Sequence, residues 1–317
     1  MNPLCTFLAA ALFVATIIGQ APAGSIHQAA LRDEKPCLAF SFDDGRTDDM
    51  VNYKGEVWND MIINQLKQYK IQTIMFVIGK RLDDDKGKAF LQKWNDAGNY
   101  IGNHTYHHLN YNNPLMTCVD YIKEIQKCDS LINHYENYRK IFRFPMLKAG
   151  NTVEKRDSIC SYLKQNGYRQ GWVTIDNSDW YICNRLLKRL KENPQADLTG
   201  FREYYVNHIF ERAQYYNELS KEINHRQIKH TLLLHINLTS ALFLSDLIEK
   251  FKKEGWIIEN YSSAILDPIY NEIPSTMPSD QSLIWSLAKK TGQYDNKLRY
   301  PGEDGEYEKD KMDNMGL

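Results

Sequence analysis

Residues 38–45, Leu38-Ala39-Phe40-Ser41-Phe42-Asp43-Asp44-Gly45, pass from an apolar run into two adjacent carboxylates and a glycine. Leu38 to Phe42 reads as a strand, so the two acids fall where that strand ends. The same grammar repeats downstream. Val57 to Tyr69 has helical spacing, with Val57, Met61, Ile62, Leu66 and Tyr69 on one face, and Ile71 to Ile78 reads as a second strand stopped by Gly79. Lys86 to Ala97 is expected as a helix ended by Gly98, and Tyr100-Ile101 as a short strand leading into Gly102-Asn103-His104. Helices over Thr117 to Tyr135, Thr152 to Asn166 and Ser240 to Lys253 then alternate with strands at Ile141 to Phe144, Trp172 to Asp176, Thr231 to His235 and Trp256 to Glu259. Repeated strand–helix units imply an α/β fold on a parallel sheet. About seven of them point to closure into a barrel, with the ligand at the carboxyl ends of the strands.

Two segments break the alternation. Residues 184–229 are long and charged, with a helix expected from Tyr204 to Ile223, and read as an insertion, a lid or a long crossover. Residues 267–317 carry Pro268, Pro274, Pro278 and Pro301, a short helix near Leu283 to Lys289 and an acidic tail, and read as a C-terminal extension. Asp83-Asp84-Asp85 is expected to be a solvated loop.

The charge balance is even, with 39 Lys and Arg against 40 Asp and Glu, and no basic block stands out. That excludes an electrostatic case for nucleic acid or for a polybasic membrane surface. The N-terminus differs from the rest. Phe7 to Ile18 is an apolar run of 12 residues followed by small residues to Ser25. It matches the core of a secretory signal, and a membrane span needs about 20 residues. Residues 1–24 are therefore expected to direct export to the periplasm or outside the cell, with no stable membrane insertion after cleavage. An uncleaved N-terminal anchor is the alternative, because the segment lacks Lys and Arg. Beyond it lie Cys37, Cys118, Cys128, Cys160 and Cys183, an odd number without C-x-x-C spacing. A disulfide framework is not expected.

The strand ends carry the chemistry. His104 and His108 are four apart, so a helical turn would aim both rings at one ion, and Asp44 adds a hard oxygen ligand. Two imidazoles and a carboxylate leave positions open for water and substrate, as catalytic zinc sites do; cobalt or nickel would also fit. His107 would project away from that face, towards the rim. Asp43 is placed to activate water, Arg143 stands at another strand end, and His235 follows Leu232-Leu233-Leu234 and is placed to protonate a leaving group. That is the equipment of a metal-assisted hydrolase.

Five ordered motifs span residues 41–235: Ser41-Phe42-Asp43-Asp44-Gly45, His104-Thr105-Tyr106-His107-His108, Arg143-Phe144-Pro145-Met146, Asp176-Asn177-Ser178-Asp179-Trp180 and Leu233-Leu234-His235. In this the chain resembles the polysaccharide deacetylases with the NodB homology domain, carbohydrate esterase family 4. The resemblance implies an irregular (β/α) barrel over residues 25–266 and removal of acetyl groups from a polysaccharide or oligosaccharide. It implies that Asp43 is the general base towards a metal-bound water, that Asp44, His104 and His108 hold the metal, and that Arg143 pairs with Asp43, lowers its pKa and aims it. It implies that His235 is the general acid, oriented by Asp176. The backbone N–H of Met146 would face the oxyanion, and Trp180 and Leu233 would wall the acetyl pocket. The third motif departs from the family in ending on Met146 rather than an aromatic, which bears on the sugar-facing wall. A small acylated molecule as substrate, or a non-catalytic carbohydrate-binding role, are the competing readings. No sequence feature sets the oligomeric state.

Overall fold

The computed structural model describes residues 34–298 and 305–317. The expected signal segment lies outside the described residues. Seven parallel strands form one curled sheet: β1 (Cys37–Asp44), β2 (Ile74–Val77), β3 (Tyr100–Asn103), β4 (Tyr138–Phe142), β5 (Arg169–Gln170), β6 (Lys229–His235) and β7 (Ile257–Ile258). Their order is β5-β4-β3-β2-β1-β6, with β7 against the first two residues of β1. The stretch after β5 then reaches the far edge. Thr174 and Ile175 donate to the Thr231 carbonyl and Leu233 N–H donates to that of Ile175, forming a parallel bridge from Ile175 to Leu232. The sheet therefore curls into the distorted barrel that the strand–helix alternation implied. Trp172 to Asp176 makes only this single bridge, where a whole strand was expected.

β1 shows why the sequence folds this way. Alternate residues of a strand face opposite sides. Phe40 and Phe42 point to the outer helices, meeting Phe251 and Trp94 edge-on. Ser41 and Asp43 point the other way, towards Arg143. All eight residues are buried or nearly so, as expected of a parallel strand covered on both faces.

Parallel neighbours need crossover helices. These are α1 (Gly55–Tyr69), the short α2 (Gly79–Leu82), α3 (Asp85–Asp96), α4 (Cys118–Ile132), α5 (Val153–Gln165), the pair α6 (Asp179–Glu192) and α7 (Thr199–Asn224), and α8 (Leu238–Lys253). Their starts follow from capping side chains. Asp84, Thr117, Thr152 and Asn237 each accept from a backbone N–H three residues on, satisfying a donor that the first turn leaves open. Asp84 is thus a helix cap, and Asp83 accepts from Tyr106 Oη. The buried face of α1 is Trp58, Ile62, Ile63 and Leu66, with Val57 exposed, one residue around from the expected stripe. The large Trp58 takes the core position and donates its indole N–H to the Asp48 carbonyl.

After β7 the chain forms the one-turn α9 (Tyr261–Ala264), then α10 (Leu283–Thr291) and α11 (Glu306–Asn314). Leu283, Ile284, Trp285 and Met312 are buried in the same hydrophobic cluster as the sheet. Among the described residues no helix is long and apolar enough to cross a membrane. The five cysteines beyond the N-terminal segment are free thiols, and four are buried.

Candidate active site

Sheet register brings the motifs to one level. Asp43 lies opposite His235 on the neighbouring strand, and Asp44 opposite Val77. Val77 in turn pairs with Asn103, and Asn103 with Phe142, so His104 and Arg143 leave β3 and β4 side by side. Every one of these residues sits at a carboxyl end, and Asp43, Asp44, His104 and His235 line a cleft of about 580 Å³.

Asp44, His104 and His108 offer three ligand atoms within 4.8 Å of one another. Asp44 Oδ1 lies 4.0 Å from His104 Nε2 and 3.7 Å from His108 Nε2. It is buried with no hydrogen-bond partner in the protein, the state of an acceptor made for a cation. His104 donates from Nδ1 to the Arg143 carbonyl at 2.8 Å, which leaves Nε2 with its lone pair towards the cluster. Burial lowers both imidazoles to about 4, so they are neutral at pH 7, as ligands must be. Burial would lift the Asp44 carboxyl, but His235, Arg81 and the two ligand histidines bring it down to about 2. The donor set fits a divalent ion. The rings do not meet by helical spacing, since residues 104–111 are irregular. Left-handed backbone at Thr105 (φ 65°) and His108 (φ 59°) turns the second ring back, and the His108 N–H donates to Thr105 Oγ1. His107 points outward to Glu124.

Arg143 is buried and fully committed. It donates to Asp43 Oδ1 at 2.6 Å, to Ser41 Oγ at 2.9 Å and to the Gly171 carbonyl at 2.8 Å, and its guanidinium lies 4.0 Å from the centre of the Phe76 ring. The other oxygen of Asp43, Oδ2, lies 3.6 Å from His104 Nε2. Burial raises the Asp43 carboxyl above the ordinary range, and Arg143 only offsets part of that. Arg143 does pull the Asp43 carboxyl down as expected, but taking the carboxylate out of water outweighs that one cation.

His235 donates from Nδ1 to Asp179 Oδ1 at 2.6 Å, while its own N–H and Asn237 Nδ2 donate to Oδ2. Burial disfavours the imidazolium, but Asp179 overrides it and lifts His235 to about 10. Asp176, expected in this role, lines the cleft and takes the N–H of Asn177. The orienting carboxylate is Asp179 because the motif does not stay extended. A helix starts at Asp179 and buries Ile182, Cys183, Leu186 and Leu190. That period was readable in the sequence, as was an acid in the first turn.

Met146 stands at the cleft with φ 55° and its side chain half exposed. Leu233 packs with Leu147 and Val173 in a small apolar cluster apart from the main core, and Trp180 lines the cleft at 39% exposure. Leu147, Lys148, Asp280 and Gln281 also line it, and sequence reasoning missed all four.

The family model described as polysaccharide deacetylase matches residues 30–171. Over those residues, a little under half of its length, the chain is similar to the polysaccharide deacetylases. Among solved structures, a mutant of a CE4 family pseudoenzyme from Bacillus anthracis is 16% identical, with a TM-score of 0.51 over 73% of this chain and 67% of that one. The peptidoglycan deacetylase PdaC from Bacillus subtilis is 21% identical, with a TM-score of 0.46 over 73% and 90%. A family 4 carbohydrate esterase from Streptomyces lividans in complex with acetate is 17% identical, with a TM-score of 0.47 over 70% and 91%. The likeness to the first is one of fold. No curated protein matches the sequence. The polysaccharide deacetylase segment thus contributes Asp43, Asp44, His104, His108 and Arg143, while Asp179 and His235 come from beyond it.

Proposed function

We propose that this chain is an exported, zinc-dependent deacetylase that hydrolyses acetyl groups on a glycan. One observation carries the reading: a base held by an arginine and an acid held by a carboxylate flank one three-donor cluster in a single cleft. Zinc suits two imidazoles and one carboxylate, and when bound it would supply Lewis acidity to the attacking water and the acyl oxygen.

The protein's own groups do the rest. Asp43, fixed through Oδ1 by Arg143, keeps Oδ2 for the proton of the attacking water. Burial raises its affinity for that proton. His235 is held by Asp179 with Nε2 free to hand a proton to the departing amine or alcohol. Leu147 and Leu233 offer an apolar floor for the acetyl methyl. Export rests on the run Phe7 to Ile18 followed by small residues.

The test is acetate release from N-acetylglucosamine oligomers, peptidoglycan, O-acetylated xylan and an aryl acetate by the zinc-loaded protein beside Asp43→Asn. Release from a glycan that Asp43→Asn lowers at least about a hundredfold is expected, the scale of a general base. A silent wild-type protein that still binds zinc and glycan would replace catalysis with a binding role.

A further inference from the structure

Part of the cleft is lined by a segment outside the five motifs. Ser279 makes an antiparallel bridge to Gly150 in the loop after β4. Ala149 N–H donates to the Ser279 carbonyl at 2.8 Å and Ser279 N–H donates to that of Gly150 at 2.9 Å. Asn112 Nδ2 adds a bond to the same Ser279 carbonyl, and Leu283 N–H donates to the Val173 carbonyl at 2.8 Å. Backbone bonds and the buried Leu283 therefore hold this segment, and the side chains of Asp280 and Gln281 are left to face the cleft.

Those side chains have acceptors and donors to spare. Asp280 is half-buried and takes one bond, from Gln281 Nε2 at 3.1 Å; an ionised carboxylate can accept about four. Among the described residues it has no ion pair. Lys148 lines the same cleft. The other acceptor positions of Asp280 face the cleft, where a ligand rich in hydroxyls can donate to them. The indole of Trp180 on the same cleft offers an apolar face for the C–H side of a sugar ring.

We propose that Asp280, supported by Gln281 and Lys148, is a specificity-determining residue that accepts hydrogen bonds from hydroxyls of the glycan. This rests on the cleft being the deacetylation site. A charge-assisted hydrogen bond lost from a prepared site leaves the sugar about ten- to a hundredfold weaker.

The experiment is calorimetric binding of N-acetylglucosamine and O-acetylated xylose oligomers to the zinc-loaded full chain, in the wild type, Asp280→Ala and Asp280→Asn. Kinetics on the oligomers and on an aryl acetate run in parallel. Oligomer affinity and kcat/KM should fall about tenfold or more in Asp280→Ala, mostly through KM, with aryl acetate turnover and thermal midpoint kept. Equal losses on oligomer and aryl acetate, unchanged oligomer affinity, or a wild-type chain that binds neither oligomer would overturn the assignment. A wild type that binds oligomers but releases no acetate would sink the deacetylase reading, and the Asp280 variants would still report on sugar binding.

Discussion

Asp43 and Asp44 are neighbours in sequence, and in a straight strand their side chains would leave by opposite faces. Both reach the cleft because Asp44 takes φ 81°, the left-handed region, and Gly45 continues the turn at φ 75°. Among the described residues, five of the eight non-glycine positions with positive φ are Asp44, Thr105, His108, Met146 and Leu147, all in motif loops around the cleft or just after them. Such conformations cost on the order of 1–3 kcal/mol each and persist where surroundings enforce them; here the enforcement is local, as when Asn103 Oδ1 holds the Thr105 N–H. The motifs made the ligand residues legible in the sequence. The backbone turns that aim them were not, because Thr and His carry no preference for left-handed φ strong enough to read. Asp179 has a sharper consequence. Asp179→Asn would present an amide where Nδ1–H of His235 needs a carboxylate. The deacetylation rate should fall about a hundredfold or more, and further than in Asp176→Asn. Comparable kcat values for the two variants would return the orienting role to Asp176.

At the level of elements, α6 begins with the residue that holds the acid, so whatever fixes α6 steadies the site. The Ser178 N–H donates to His208 Nε2 at 3.0 Å, and His208 Nδ1 faces Glu308 of α11 at 3.3 Å. Tyr204 Oη also donates to Glu308, and Arg185 of α6 pairs with Asp313 at 2.6 Å. His208, the Tyr204 hydroxyl and the Lys311 charge overcome the burial of Glu308 and hold its carboxyl at about 2. Glu308→Gln should therefore destabilise the fold by about 1–3 kcal/mol, read as a lower denaturant midpoint. An unchanged midpoint would mean that α11 does not support α6. Nothing in the local pattern near Glu308 signals this, since the bond spans 100 residues from His208 to Glu308. Helix caps such as Thr117 and Thr152 were readable, being local. The bridge from Ser279 to Gly150 was not, for the same reason as Glu308.

Over the whole molecule, the alternation of apolar runs and helical periods carried the parallel sheet, and strand ends carried the site. Trp172 to Asp176 read as a strand, but its reduction to the single bridge from Ile175 to Leu232 had no sequence signal, being a matter of two sheet edges meeting. Acid stability follows from the core the sheet encloses. His230 is fully buried against Thr174 and Ser220, and burial lowers it to about 3. The unfolded chain takes up that proton near pH 6.5. Between about 6.5 and 3 the unfolded state then binds more protons, so stability present above pH 6.5 is lost as pH falls through that window. His230→Gln should flatten this acid slope in denaturation curves, and an unaltered slope would put the acid sensitivity elsewhere. The account stands most directly on one measurement: acetate release from N-acetylglucosamine oligomers before chelation, after it, and after zinc is returned. Asp44, His104 and His108 as ligands require release to vanish with the metal and return with it, with one zinc bound per chain. Release that persists in the chelated protein would contradict the metal-dependent reading outright.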